Sequence, residues 1–285
     1  MSALVSILMT AYNRQEYIAQ AIESVLVSSY KNLELIIVDD GSKDDTVKIA
    51  RRFAATDERV RVYENEVNLG DYPNRNHAST YARGEFIMYV DSDDMLLSDA
   101  LEQLVTLMQA HPACGMGMYW LHGKGEPFVL EPAAAIRQHF YERSFLIVGP
   151  GGTIMRRDFF EQIGKYPVEY GPANDMYFNL KAAAATPLLM IPFEFIFYRR
   201  HEGQQINNNY NYLYNNYRYL RDALNELDLP LTADQTAWLQ KKNKRRFVIN
   251  LASYLARTRD VKKTKAAMKL AGFSWRDIRE GIFHT

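Results

Sequence analysis

Over the first ninety residues, short apolar runs alternate with stretches of helical spacing. Leu4–Thr10 (LVSILMT) is apolar without a helical period and predicts a buried strand. Ala11–Arg14 breaks it. In Gln15–Ser28 the apolar residues Ile18, Ala21, Ile22, Val25 and Leu26 recur at helical spacing. Leu33–Val38 predicts a second strand, halted by Asp39-Asp40-Gly41-Ser42. Asp44–Ala55 predicts a helix that Asp44 or Ser42 can cap. Val60–Glu64 predicts a third strand. Pro73 suits the first turn of a helix running to about Tyr81, and Glu85–Val90 is the fourth strand. Alternation at these lengths argues for an α/β fold with a parallel, doubly wound sheet. Such sheets bind ligands beyond the carboxyl ends of their strands. The odd polar residues gather there: Thr10 to Arg14, Asp39 to Ser42, Asn68 to Arg75 and Asp91 to Asp94.

The rhythm changes after a predicted helix at Ser98–His111. Gly115–Leu121 reads as a strand, Gly123–Pro132 as a loop and Ala133–Glu142 as a helix. Val148–Gly152 (VGPGG) precedes a short strand at Thr153–Arg156. This glycine loop does not open a helix after a strand, so close backbone approach or a tight turn fits it better than a phosphate cradle. Arg157–Ile163 predicts a short helix, Asn174–Ala185 a longer one and Phe193–Tyr198 a strand. The polar cluster Arg199-Arg200-His201-Glu202-Gly203 follows. Beyond Ile206 the pattern is helical. Tyr210, Leu213, Tyr214, Tyr217 and Leu220 keep helical spacing and read as packing more than as a base-stacking surface. A boundary near 203 divides residues 1–202 from an extension over 203–285.

Charge sharpens that division. The formal net charge is zero, yet residues 1–202 carry 19 Lys and Arg against 27 Asp and Glu, and residues 241–285 carry 13 against 3. The basic end suits an anionic surface or a solvated helical face. Phe247, Leu251, Tyr254 and Leu255, with Phe273, Trp275, Ile278, Ile282 and Phe283, make apolar stripes that fit either an anionic membrane face or packing on the rest of the chain. No apolar run approaches the roughly 20 residues that span a bilayer. Met1–Tyr12 lacks a basic leader and a cleavage site, so it reads as a strand and not a signal peptide. The single cysteine, Cys114, excludes an intramolecular disulfide and a multi-cysteine zinc site, and fits a reducing compartment.

The candidate chemistry lies in FIMYVDSDDM, residues 86–95, where an apolar strand ends in Asp91, Asp93 and Asp94. Residues two apart on an extended strand point the same way, so Asp91 and Asp93 converge if that geometry persists. Carboxylate oxygens suit Mg²⁺ or Mn²⁺, ions that bridge carboxylates and phosphates. Asp and Ser also favour plain turns and helix caps, so the stretch alone fits both readings. Asp175 is open to two readings as well: a partner for a helix dipole, or a carboxylate base facing the crevice.

Taken in order, Thr-Ala-Tyr-Asn-Arg (10–14), Val-Asp-Asp-Gly-Ser (38–42), Asn-Leu-Gly (68–70), Asn-Arg-Asn (74–76), Ala-Arg-Gly-Glu (82–85) and Asp-Ser-Asp-Asp (91–94) resemble glycosyltransferase family 2 over roughly residues 4–202. The resemblance implies a GT-A (Rossmann-like) fold, a mostly parallel central sheet flanked by helices, here with a C-terminal helical appendage. It implies an inverting transfer from a nucleotide sugar. Thr10, Tyr12, Arg14, Asp40, Arg75, Asp91 and Ser92 would contact that donor, with Asp40 accepting from a uracil ring N–H. Asp93 and His201 would hold Mn²⁺ or Mg²⁺, with a satisfied loop histidine as the other reading of His201, and Asp175 would be the base. Asn174 stands where relatives carry a further acid. The Gln-x-x-Arg-Trp motif of processive members is absent, which implies transfer of a single sugar. The implied partners are a UDP-sugar and a glycan or lipid-linked acceptor, with no nucleic acid. The implied location is cytoplasmic, with peripheral contact at the inner face of the membrane through 241–285. Two competing readings are a sugar-1-phosphate nucleotidyltransferase and a non-catalytic nucleotide-sugar-binding protein. The first lacks its glycine-rich loop ending in a basic residue, and retention of Asp93 and Asp175 argues against the second.

Overall fold

The first half of the chain follows its own alternation closely. In a computed structural model describing residues 2–201 and 209–283, the elements run β1 (Val5–Ala11), α1 (Ile18–Leu26), β2 (Leu33–Asp39), α2 (Thr46–Ala54), β3 (Val60–Glu64), α3 (Asp71–Ser79) and β4 (Phe86–Tyr89). All three sheet neighbours β3–β2, β2–β1 and β1–β4 pair in parallel. The chain thus moves outward from β1 to β2 and β3, then returns to the other side of β1 for β4. Between β1 and β4 the direction of winding reverses, and the crevice beyond their carboxyl ends is where this architecture binds ligands.

The two-residue period of the strands fills both faces of the sheet. Val5, Ile7 and Met9 of β1 join Leu35 and Ile37 of β2 in one core with α1. Leu8, Ile36, Val38, Ile87 and Tyr89 face the opposite core. On that second face the register puts Ser6 beside Glu34. Glu34 is buried, and its carboxylate accepts from Ser6 Oγ at 2.6 Å, from the Arg83 backbone N at 2.8 Å and guanidinium Nη2 at 2.8 Å, and from Arg61. A buried carboxylate persists only when so paired. Gly84 follows at a point where a Cβ would stand 2.7 Å from Leu4 O and from Ser6 N. The Ala-Arg-Gly-Glu stretch is therefore a structural lock and not part of a catalytic site.

From β5 (Met95–Leu96) and α4 (Ala100–Ala110) onward the alternation fails. β6 (Met116–Tyr119), β7 (Phe128–Leu130), α5 (Pro132–Arg137), β8 (Thr153–Arg156), α6 (Arg157–Gln162), α7 (Asn174–Ala185), β9 (Leu188–Ile191) and β10 (Ile196–Phe197) complete the unit. The main sheet has eight strands in the order β3-β2-β1-β4-β8-β6-β9-β7. β8 runs antiparallel to both β4 and β6, and β7 antiparallel to β9, so the sheet is mixed and mostly parallel. β7 lies within the expected loop, and β9 within a stretch given no element. Of the strand expected at Phe193–Tyr198, only Ile196–Phe197 forms. It pairs with β5, away from the main sheet.

α8 (Asn209–Glu226), α9 (Ala233–Thr258), α10 (Val261–Leu270) and α11 (Trp275–Phe283) follow. The expected boundary at 203 and Glu202 lie outside the described residues. Leu213, Tyr217, Phe247, Leu251 and Phe273 form a core of these helices, so much of the apolar stripe faces inward, while Trp275 is 76% exposed. Tyr219, Ala223, Leu224 and Leu239 join the sheet's second core instead, which ties α8 and α9 to the sheet unit. Among the described residues no helix is long and apolar enough to cross a membrane.

Candidate active site

β4 ends one residue before the acids begin, and the extended geometry does not persist through them. Residues 91–94 form a turn in which Asp94 N donates to Asp91 O at 2.9 Å. The turn, not strand alternation, gathers one carboxylate oxygen each from Asp91, Asp93 and Asp94 within 4.8 Å of one another. Three hard oxygen donors at this spacing match the ligand preference of a divalent cation. Ser92 Oγ donates to Thr10 O at 2.8 Å and pins the turn to the end of β1. Ser92 is buried, and its hydroxyl serves this join.

Asp93 is the hub. Its Oδ2 accepts from Arg14 Nε at 3.2 Å and lies 2.9 Å from His201 Nε2. His201 comes from more than one hundred positions away because the β5–β10 pairing returns the chain beside the turn. Arg199 N then donates to Asp94 Oδ1 and Arg199 Nε to Asp93 O, both at 3.0 Å. Tyr17 stacks on the His201 ring at 4.7 Å. Asp94 is thus a member of the cluster and does not start the next helix, which begins at Ala100. Burial and the neighbouring Asp91 charge push its carboxyl up to about 7.

Arg75, expected to reach a base or phosphate, is instead buried and held from two sides. Its Nε donates to Asp71 and its Nη1 to Asp91, each at 2.7 Å. The guanidinium lies over the rings of Tyr72 and Tyr89. It thereby sets the position of Asp91. Asp40 is also committed to the scaffold. Its carboxylate accepts from Asn65 Nδ2, Leu69 N and Gly70 N, each at 2.8 Å. Asp39 Oδ1 accepts from the Gly41 and Ser42 amides and holds the loop. A carboxylate offers about four acceptor sites, so Asp40 retains capacity for one further donor.

Asp175 opens α7 and is buried, with Oδ1 accepting from Met176 N at 2.8 Å. Burial pushes its carboxyl up to about 7, and the nearby Asp71 charge adds to the rise. The glycine loop runs past it: a Cβ on Gly149 would lie 3.8 Å from Asp175 Oδ2. That is ordinary contact, and the loop is the tight turn of the two readings, a 3₁₀ turn over Pro150–Gly152 in which Gly152 N donates to Gly149 O at 2.9 Å. Thr10, Tyr12, Arg14, Asp40, Arg75, Asp91, Ser92, Asp93 and Asp175 all line one cavity of about 1270 Å³. Tyr12 is 46% exposed, leaving its ring available to a ligand.

The sequence did not reveal that Asp71 partners Arg75, nor the far wall of this cavity. That wall includes Tyr212, Asn216 and Tyr219 of α8, and Lys242 and Arg246 of α9. Helical spacing does carry a signal: Tyr212, Asn216 and Tyr219 recur at intervals of four and three, on a face adjoining the one that Leu213 and Tyr217 pack inward.

A model of glycosyl transferase family 2 matches residues 6–164, more than half of the chain. The chain belongs to that family. Among curated family 2 relatives, an uncharacterized glycosyltransferase of Haemophilus influenzae is 39% identical over 117 residues, covering 41% of this chain and 47% of that protein. An Escherichia coli UDP-Glc:α-D-GlcNAc-diphosphoundecaprenol β-1,3-glucosyltransferase is 40% identical over 105 residues, covering 37% and 41%. This family 2 chain spans less than half the length of those relatives. The fold matches S. aureus TarS in complex with UDP-GlcNAc, with a TM-score of 0.73 at 19% identity over 97% of this chain and 81% of that one. It also matches a Pyrobaculum calidifontis mannosyltransferase in complex with GDP-Man and Mn²⁺, with a TM-score of 0.61 at 16% identity over 94% and 79%. These likenesses establish the GT-A fold of this family 2 chain.

Proposed function

We propose that residues 1–202 form a transferase domain that moves a single sugar, with inversion, from a nucleotide sugar to an acceptor hydroxyl, and that 203–285 form its helical extension. The observation that carries this reading is the pairing of chemistries in one cavity. A three-carboxylate cluster lies at one side, and the buried Asp175, poised near neutrality, lies at another. A base is most effective when its pKa lies near the working pH.

The ionised Asp175 takes the proton of the acceptor hydroxyl as that oxygen bonds to the anomeric carbon. The bond to the nucleoside diphosphate breaks on the opposite face, which inverts the configuration. Asp93, with Asp91 and Asp94 and with His201 beside it, would hold Mn²⁺ or Mg²⁺, which when bound neutralises charge growing on the departing diphosphate. Arg14 adds a cation at the same place. The exposed ring of Tyr12 can stack on the base, and Thr10 borders the nucleoside. The remaining acceptor site on Asp40 suits a uracil N–H, so we take the donor to be a UDP-hexose or UDP-N-acetylhexosamine. The E. coli relative and the TarS complex, both named for UDP-sugars, favour the same donor. Calorimetric titration with Mn²⁺ present should show UDP binding at least about tenfold tighter than GDP, the cost of losing one well-placed base contact. Equal affinities would sink the uridine assignment.

Family membership sets aside the nucleotidyltransferase reading. The E. coli relative acts on a lipid-linked sugar, which supports a place in bacterial surface polysaccharide or glycolipid synthesis. It also supports a cytoplasmic enzyme in peripheral contact with the membrane's inner face. With much of the apolar stripe packed inward, such contact would rest on the basic surface of 241–285 and on Trp275. Co-sedimentation with vesicles rich in anionic lipid, lost at high salt, is the expected result. Equal recovery with neutral vesicles would refute it.

A further inference from the structure

The cavity is divided by charge. At the sheet end, Arg14 is paired with Asp93, and Arg75 with Asp71 and Asp91. At the far end, Lys242 and Arg246 line the wall one helical turn apart on α9. Neither forms an ion pair among the described residues. The neighbouring Lys244 binds Asp277 and Glu280 away from the cavity, and the acid at this end, Glu142, is engaged by Arg137 at 3.4 Å. Two like charges four residues apart repel each other on a helix, and a concave wall makes the repulsion stronger than open solvent would. An anion between them would relieve it.

We propose that this wall is the acceptor subsite and that Lys242 and Arg246 receive a phosphate or diphosphate ester carried by the acceptor. The inference rests on the transferase reading above. The donor's own diphosphate belongs at the carboxylate turn beyond β4, so a second anion site on α9 is left for the other substrate. The wall between the two ends is suited to a sugar. Tyr212, Asn216 and Tyr219 of α8 line it, and the buried Asn216 Oδ1 has no hydrogen-bond partner among the described residues. Tyr219 lines the same cavity as Arg246 and Asp175; burial pushes its hydroxyl up to about 12, with the Arg246 charge lowering it and the Asp175 charge raising it. Burial likewise pushes the Tyr212 hydroxyl up to about 12, and the Asp175 charge adds to the rise. Lys242 is held in place, its Nζ 4.6 Å from the centre of the Trp238 ring, which in turn stacks on Tyr141 at 5.5 Å. An acceptor anchored by its anionic group on α9 would extend along α8 and offer a hydroxyl to Asp175. A sugar diphosphate on a lipid and a polyol phosphate chain share the required chemistry.

The test uses the full chain saturated with UDP and Mn²⁺, so that the donor subsite is filled. Calorimetry then compares a short-alkyl GlcNAc diphosphate, the neutral alkyl GlcNAc glycoside and a glycerol phosphate oligomer. At least one phosphate-bearing probe should bind about tenfold or more tightly than the neutral glycoside, as charge-assisted contacts allow, and should weaken with added NaCl. Which probe wins names the source of the phosphate. In the double variants Lys242→Gln/Arg246→Gln and Lys242→Glu/Arg246→Glu, the advantage should fall below about threefold, since removing both cations leaves only the neutral contacts. UDP titration checks that each variant is folded. The proposal is overturned if the neutral glycoside binds as tightly as both phosphate probes, or if UDP-competent variants keep the advantage. Should a variant fail to bind UDP, the wild-type comparison of charged and neutral probes still decides. Failure of the wild type to bind UDP would overturn the transferase reading itself.

Discussion

Replacing Asp175 with Asn is expected to cut transfer by about 10²–10⁴-fold, the usual contribution of a positioned base, while making the protein more stable at pH 8. Both effects come from the same burial. Desolvation raises the carboxyl to about 7, against about 3.9 in an unfolded chain. Between pH 4 and 7 the folded protein keeps a proton that the unfolded chain has released. Stability therefore falls as pH rises through this window, and the full loss is present above pH 7. A three-unit difference corresponds to at most about 4 kcal/mol. Relaxation around the site leaves an expected gain of about 1–3 kcal/mol for the amide, or several degrees in Tm. The gain should shrink as pH falls through this window and vanish near pH 3, where the carboxyl is protonated in the folded and unfolded states alike. Wild-type turnover should climb about tenfold per pH unit below 7 and then level off, because only the ionised form accepts the proton. Parallel melting curves and pH–rate profiles read both effects. An amide variant within threefold of wild-type turnover would remove Asp175 from the role of base.

Asp93→Ala should be at least as damaging to turnover, by about 10³-fold, comparable to losing a main electrostatic element of a transition state. Asp93 Oδ2 is the point where Arg14 and His201 meet. Its loss removes a carboxylate from the three-acid cluster and releases both of those side chains. What activity remains should be indifferent to chelator. Asp94→Asn is the matched control. Asp94 Oδ1 accepts from the Arg199 backbone N, a bond that the amide oxygen of Asn can keep. Its expected loss is about tenfold, one hydrogen-bonded cluster member weakened. If Asp94→Asn proved as damaging as Asp93→Ala, the hub would be the cluster as a whole and not Asp93.

The legible part of this protein was the part with regular rhythm. From β1 to β4 the periods of two and 3.6 alternate cleanly, and the strands formed where those periods placed them, within a residue or two. The polar loops at their ends share one cavity because parallel strands put their carboxyl ends on one edge. Where the rhythm failed, so did the reading. Leu188–Ile191 is a buried strand only four residues long, set between Pro187 and Pro192 and directly after an alanine-rich helix, so it showed no period of its own. β7 is a three-residue edge strand after a glycine-containing turn. The site shows the same limit. His201 was placed beside the cation position by resemblance, and the two-residue β5–β10 ladder supplies the physical reason. Asp91 and Asp93 converge for a reason other than the expected one, through a turn that also recruits Asp94. Arg75 and Asp40 looked like free ligand contacts in the sequence because their local partners, Asp71 and the amides of residues 69 and 70, are visible only once α3 and its preceding loop are folded. The far wall was least legible of all, since α9 reaches the cavity through tertiary contacts distant in sequence, with α8 and through Trp238 on Tyr141.

The central claim is that this cavity uses a divalent cation to release UDP from a UDP-sugar. UDP release from a panel of UDP-hexoses and UDP-N-acetylhexosamines, measured with Mn²⁺ and with EDTA, tests it directly. The account predicts release from at least one donor, abolished by EDTA and restored by Mn²⁺. Release that continues undiminished in EDTA, or no release from any UDP-sugar with Mn²⁺ present, would contradict it.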